Sequence, residues 1–416
     1  YLTARGTTRT AAENALAILR DTEPELHLRS VTLTAKDKIC LCETRECTPE
    51  ACPYANGYYA RIKGALWDVL DVPCLTAETL QEYAKRHTVC PFELGLDSSL
   101  WSDVIIGDYN YLFDPVVHLV RFFESAGDYI FLVDEAHNLP GRAREMHSAA
   151  LTKTSFYEAK KLLGKGKSSL KNALTKVNDV FIEWRHRAEE ETAARDGRFG
   201  KTFFLKERSE EFDHLLNRLC EPLEAWLDDH REPDETHTAL LQLYFDVRAW
   251  LRVADTFDDH FVLQITASGS EVRAAQLCLD PSAFLADSFA LGRAAVLFSA
   301  TLAPASYYKD LCGVPEARAV ALRSPFPAGN QGLFCIGNVS TRYKDRDASL
   351  AIVAESLATM VRARCGNYLA FFPSYAYLRQ VYEDFTARYP DIPTLAQESG
   401  LDDAGRAAFL ARFAPH

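Results

Sequence analysis

Short apolar runs that stop at a hydroxyl or an acid recur along the chain. Val31-Thr32-Leu33 leads to Thr34, Val104-Ile105-Ile106 to Gly107-Asp108, and Ile130–Val133 to Asp134-Glu135. Ala295-Val296-Leu297-Phe298 leads to Ser299-Ala300-Thr301, and Tyr368–Phe372 to Pro373-Ser374. Continuous apolar runs of this length fit strands of a parallel sheet covered on both faces. Their polar termini then gather beyond the carboxyl ends of the strands, where open α/β sheets bind ligands. Helical patterns fill the intervals at Thr10–Leu19, Ala77–Arg86, Tyr111–Phe123 and Ala348–Ala363.

Between about 151 and 255 the pattern changes to long amphipathic helices with no strand signal, for example Ser155–Leu163 and Glu210–Asp228. Phe261–Thr266 and Glu271–Leu279, joined by Ala267-Ser268-Gly269-Ser270, read as a hairpin. The predicted class is therefore α/β. A first α/β domain is expected over 1–150 and 256–318, with a cysteine-rich insertion at 31–98 and an all-α insertion at 151–255. A second α/β unit is expected over 319–416. "YLTA" reads as the middle of a strand, so the chain is expected to begin, and to end, inside a longer protein.

Composition narrows the class. The 416 residues are 48% hydrophobic and 25% charged, as in soluble globular proteins. No apolar run approaches a membrane span and no signal-peptide pattern is present, so a cytoplasmic protein with no membrane partner is expected. A net charge of −12 argues against a uniformly basic nucleic-acid coat but leaves room for a local basic channel. Lysines are dense at 153–176, whereas 189–260 is acidic.

Six of the 11 cysteines precede residue 91, a clustering that points to metal ligation rather than disulfides. Cys40, Cys47, Cys52 and Cys90 are the candidate ligands, with Cys42 a near competitor for the first position. Four thiolates hold zinc or an iron–sulfur cluster. No tight C-x2-C pair is present, which favours a cluster spread over a small helical subdomain, yet spacing alone leaves zinc open. Cys74, Cys220, Cys278, Cys312, Cys335 and Cys365 read as ordinary buried thiols.

Asp134 and Glu135 would sit together at the carboxyl edge of a buried strand. There one acid can hold the water shell of Mg²⁺ while the other orients an attacking water, as in the Walker B arrangement. The alternative is a helix start, where acids complement the dipole. His137, three residues on, would sense the nucleotide. The matching phosphate loop, G-x-x-x-x-G-K-[ST], is missing. Gly166-Lys167-Ser168 has Lys161, and Gly200-Lys201-Thr202 has Arg195, where the first glycine belongs.

In order along the chain, "YLTARGTTRT", the four cysteines, "DVIIGDYNYLFDP", "VDEAHNL", a helical insertion, "LFSATLAPASYYKDLCG" and "NYLAFFPSYAYL" resemble the XPD/DinG-like branch of superfamily 2 DNA helicases, its bacterial members most closely. The resemblance runs over nearly the whole chain. It implies a RecA-like parallel-sheet domain carrying a cluster insertion and a helical arch, followed by the start of a second RecA-like domain. It implies a 4Fe–4S cluster on Cys40, Cys47, Cys52 and Cys90, and ATP with Mg²⁺ at Asp134 and Glu135. His137 would couple to Ser299, Ala300 and Thr301. Thr7, Thr8 and Arg9 would grip the DNA backbone, and Lys36 would be the basic residue near the cluster. Tyr54 and Phe92 would stack on or separate bases, ordinary packing being their alternative. The resemblance further implies a monomeric motor moving 5′→3′ on single-stranded and forked DNA. Its phosphate loop and last motifs would lie outside the 416 residues, so this polypeptide alone is expected not to hydrolyse ATP. Two other classes stay open on the residues alone: a non-catalytic DNA-binding protein on a helicase fold, and a zinc protein with an unrelated hydrolase site.

Overall fold

A computed structural model describes residues 1–4, 6–164, 166, 168–194, 201–232, 234–364, 366–401 and 403–412. The chain divides into two compact units, Tyr1–Ala319 and Val320–His416. In the first unit, four of the apolar runs become strands of a six-stranded parallel sheet. Its strands are β1 (Leu2–Thr3), β2 (Ser30–Thr32), β3 (Cys74–Leu75), β4 (Val104–Asp108), β5 (Ile130–Asp134) and, late in the chain, β10 (Ala294–Phe298). The spatial order is β10-β5-β1-β4-β2-β3. Leu2, Phe131 and Val133 pack with Leu139, Leu285 and Phe289 from the helices Leu139–Met146 and Ser282–Ala290, which bury the sheet beside the acidic centre. This is the parallel α/β arrangement expected for a RecA-like domain.

The cysteine-rich insertion is helical and shares a core with the strands it leaves and rejoins. Ile39, Ile62, Leu80 and Leu94 pack together with Val31 of β2 and Leu75 of β3. Thr76 caps the helix Ala77–His87 by accepting from the Thr79 amide, and Thr88 ends it in the left-handed region at φ 54°. Cys90 then stands at the N-cap of Pro91–Ser98, with Pro91 in the first turn where its missing N–H does no harm. One intended ligand is thus fixed by two helix boundaries.

The helical insertion contains strands that its sequence pattern does not reveal. The helices Lys153–Leu162, Ser169–Ala194, Glu210–Asp229 and Glu235–Thr256 are present. Alongside them, β6 (Ala149–Thr152), β7 (Thr202–Leu205), β8 (Phe261–Ser268) and β9 (Glu271–Cys278) form an antiparallel sheet in the order β6-β9-β8-β7. The predicted hairpin is β8–β9. It packs on the helices through Phe261, Leu263, Ile265, Val272 and Ala274 rather than on the parallel sheet, so the expected all-α insertion is an α+β body. Two chain passages join this body to the parallel sheet. Across them Arg144 Nε donates to the Leu279 carbonyl at 2.7 Å, the Cys278 amide donates to Ser148 Oγ at 2.9 Å, and His147 stacks on Phe284 at 3.9 Å.

Inside the insertion, Trp250 Nε1 donates to the buried Asp213 at 2.8 Å, with Arg208 at 3.8 Å from the other carboxylate oxygen. Burial raises the Asp213 pKa, opposed by the Trp250 hydrogen bond and the Arg208 charge. Trp250→Phe removes the donor and is expected to lower stability by about 1–3 kcal/mol. Urea unfolding reads this directly, and an unchanged midpoint would refute the pairing.

Two expected elements differ. Tyr111–Phe123 is not one helix: Pro115 interrupts it, leaving Asn110–Phe113 and Val120–Phe123. Asp114 Oδ1 caps the break by accepting from the Val116 and Val117 amides at 2.8 and 3.0 Å. Tyr368–Phe372 forms no ladder, and no strand occurs among the described residues of the second unit. An apolar run becomes a strand only where a neighbour takes its backbone hydrogen bonds. That unit instead pairs the helices Arg346–Ala363 and Tyr375–Arg388 over Ala354, Ala358 and Phe385.

Candidate functional site

Register builds the acidic centre. β5 and β10 run parallel with Phe298 opposite Asp134, so Ser299 emerges level with Glu135. Ser299 Oγ donates to Glu135 Oε2 at 3.1 Å, and His137 Nδ1 lies 2.8 Å from Ser299 Oγ. A hydroxyl has one proton, so when Ser299 donates to Glu135 the proton shared with His137 belongs to Nδ1. His137 Nδ1 is also 3.3 Å from Glu135 Oε2, closing a triangle. The Thr301 amide donates to Ser299 Oγ at 3.3 Å, while Ala300 is exposed. The expected coupling of His137 to the Ser299-Ala300-Thr301 segment therefore runs through one oxygen, Ser299 Oγ.

Backbone strain marks the same point. Glu135 adopts φ 50°, a conformation rare for a residue with a side chain and concentrated at functional sites. The Asp134 carboxylate is held at both oxygens: Oδ1 accepts from the Glu135 amide at 2.8 Å and Oδ2 from the Tyr1 hydroxyl at 3.0 Å. Tyr109, fully buried, donates its hydroxyl to the Asp134 carbonyl. Burial first, then the nearby carboxylates, raise both phenols above their usual range, so they stay protonated donors. Neither tyrosine was predicted. Their only sequence signal is a tyrosine beside a strand end, which equally describes packing.

Of the two Gly-Lys pairs, Gly166 and Lys201 fall among the described residues. Lys167, Arg195 and Gly200 lie outside the described residues. Lys201 is tied to Glu189 at 2.9 Å.

Thr8 and Arg9 open the helix Gly6–Thr22, directly after β1 at the carboxyl edge of the sheet. The Thr7 side chain lies outside the described residues. Arg9 Nε is buried without a hydrogen-bond partner. A groove of about 390 Å³ begins at Ala4 and is lined by Asn138, Gly141, Arg142 and Glu145.

In the cysteine insertion, Lys36 Nζ stands 5.3 Å from the Phe92 ring centroid and 3.5 Å from Glu93, joining two of the predicted DNA contacts. Burial lowers the Lys36 pKa, but Cys47, Glu93 and Cys90 outweigh it and the net shift is upward. Tyr54 is half-buried in the turn after Cys52. Cys40, Cys42, Cys47, Cys52 and Cys90 are all free thiols. Cys42 lies 3.9 Å from Cys52, and burial followed by that contact pushes its thiol up to about 11. Among the described residues no three His, Cys, Asp or Glu side chains converge on a single metal ion. The donor chemistry is that of a thiolate site.

Two adjacent acids, a serine and a histidine thus meet at the carboxyl edge of a parallel sheet, where open α/β sheets bind ligands. The DEAD_2 family model matches residues 22–156. The General transcription and DNA repair factor IIH helicase subunit XPD of Schizosaccharomyces pombe is 23% identical over 378 residues, covering 74% of this chain and 48% of that protein. The ATP-dependent DNA helicase CHL1 of Coccidioides immitis is 21% identical over 344 residues, covering 74% and 39%. A Regulator of telomere elongation helicase 1 homolog of Anopheles gambiae is 28% identical over 139 residues, covering 30% and 14%. The chain thus spans half or less of the length of these relatives. A solved structure titled XPD_Helicase aligns over 99% of this chain and 70% of its own, at TM-score 0.48 and 17% identity. By family model and relatives, the chain is similar to XPD-type helicases over these stretches.

Proposed function

We propose that the chain supplies the acidic half of the ATP-hydrolysing centre, and part of the DNA track, of an ATP-dependent DNA helicase of the bacterial branch. The observation that carries this reading is the joining of Asp134, Glu135, His137 and Ser299 at one sheet edge. Asp134, oriented at both oxygens, would hold the water shell of Mg²⁺. Glu135 would take the proton of the attacking water through Oε1, since Oε2 is engaged by Ser299. His137 and Ser299 would pass the state of the nucleotide to the DNA-binding residues.

The phosphate loop would come from residues outside these 416. The sheet has a place for its strand: β10 has β5 as its neighbour on one side only, and Val296 and Phe298 are exposed. A further parallel strand beside β10 would end level with Ser299 and Asp134.

The DNA track would run over Thr7, Thr8 and Arg9 and over the Lys36–Phe92 pair, with Tyr54 nearby, on single-stranded and forked DNA in the 5′→3′ sense. Cys40, Cys47, Cys52 and Cys90 would hold a 4Fe–4S cluster that ties the small helical insertion together. No described helix is long and apolar enough to cross a membrane. A monomeric, cytoplasmic motor accords with the sequence reading.

The test has two arms. The purified 416-residue chain should show no DNA-dependent ATPase activity, whereas a longer polypeptide that includes the phosphate loop should be stimulated by single-stranded DNA. Anaerobically purified chain should be brown, with broad absorption near roughly 400 nm. Robust ATPase activity of the 416-residue chain overturns the divided centre. A colourless, zinc-bearing protein overturns the cluster.

A further inference from the structure

The insertion that carries the proposed ligands holds two thiols more than a four-ligand site needs, Cys42 and Cys74, and Cys42 lies between the first two ligands in sequence. Cys42 is half-buried, and its sulfur lies 3.9 Å from that of buried Cys52, in van der Waals contact. Cys52 is fixed by its turn: its amide donates to the Thr48 carbonyl at 2.9 Å, and its carbonyl accepts from Ala55 and Asn56 at 3.1 and 3.0 Å. Cys42 lies in an irregular stretch between the helices Lys36–Ile39 and Tyr58–Val69. A disulfide bond is about 2.05 Å long, so the sulfurs must approach by about 1.9 Å, within reach of a side-chain rotation and a small loop shift.

We propose that Cys42 is a resolving thiol for Cys52: in the cluster-free chain exposed to a peroxide, the two close a reversible disulfide that protects a cluster ligand from irreversible oxidation. The Cys52 thiolate attacks hydrogen peroxide, breaking its O–O bond and giving a sulfenic acid and hydroxide. The Cys42 sulfur then attacks the Cys52 sulfur. The S–S bond forms, the S–O bond breaks, and the sulfenic hydroxyl leaves as water, taking up the Cys42 thiol proton or, where Cys42 attacks as thiolate, one proton from solvent. Peroxide is the oxidant, reduced to water overall, and the thiol pair gives up two electrons. A dithiol reductant restores both cysteines. Without Cys42, the sulfenic acid at Cys52 proceeds to sulfinic and sulfonic acids, which dithiols do not reverse.

This inference rests on the cluster reading only in naming Cys52 a ligand, and its test separates the two. Cluster-free chain is treated with hydrogen peroxide, its remaining thiols are alkylated, and the tryptic digest is read by mass spectrometry. The expected product links Ile39–Arg45 to Glu46–Arg61 through Cys42 and Cys52 and disappears with dithiothreitol. In Cys42→Ser the over-oxidised fraction of Cys52 should rise several-fold, and iron and sulfide should restore less of the absorption after reduction than in the unaltered chain. Pairing of Cys52 with Cys40 or Cys47, absence of any cross-link, or equal over-oxidation in Cys42→Ser would each overturn the proposal. Loss of cluster uptake by untreated Cys42→Ser would also overturn it, by making Cys42 a ligand. If neither chain takes up a cluster, the cluster reading fails while the cross-link still decides the role of Cys42.

Discussion

Replacing Glu135 by glutamine is expected to lower ATP hydrolysis by about 10²- to 10⁴-fold in a polypeptide that carries the phosphate loop together with residues 1–416. Glutamine keeps the length of the side chain and an oxygen for the Ser299 hydroxyl, whose bond to Glu135 is 3.1 Å. It also keeps the His137–Ser299 contact at 2.8 Å. What it removes is the ability to accept a proton from water. The loss should therefore appear in kcat, with KM for ATP and the affinity for single-stranded DNA little changed. A fall of less than about tenfold would take proton transfer away from Glu135. A parallel fall in DNA binding would instead mean that the substitution had disturbed the sheet edge.

Gly313→Ala should be the most damaging small substitution in the first unit. The helix Ala305–Leu311 ends with Cys312 and then Gly313 at φ 67°. A Cβ at this position would stand 2.1 Å from the Ser282 carbonyl oxygen and 2.8 Å from Ala286 Cβ, both on the neighbouring helix. The left-handed backbone alone costs an alanine about 1–2 kcal/mol, and forced repacking adds about 1–3 kcal/mol. Expected destabilisation is thus about 2–5 kcal/mol, read as a lower urea midpoint. Cys312 is buried beside Leu285 and Phe289 in the core under the parallel sheet, so the strain is transmitted to the layer that supports β5 and β10. An unchanged midpoint would show that the two helices part freely.

The sequence was readable where a single physical cause decided the structure. Ile130–Val133 and Ala295–Phe298 are apolar throughout and pair in parallel, β5 inside the sheet and β10 at its edge, and the acids and serine that end them had to meet once the register was fixed. β7 was unreadable for the opposite reason. Thr202–Leu205 is four residues at the edge of an antiparallel sheet, and its pairing with β8 comes from Leu263–Thr266, far along the chain. Tyr368–Phe372 carries the apolar signal without the partner that makes it a strand. Tyr1 and Tyr109 were missed because one hydroxyl bond to Asp134 leaves no trace in periodicity. Cysteine spacing pointed to a thiolate site but could not say which sulfurs touch, and Cys42 proved to lie against Cys52.

The open side of β10 also governs how the isolated polypeptide behaves in solution. Ala294 to Phe298 offers one unpaired side of an apolar strand, with none of the charged or proline residues by which natural edges repel one another. Two such strands can pair with each other, so soluble yield and particle size should depend on protein concentration, and oligomers should form through this edge before the helical insertion unfolds.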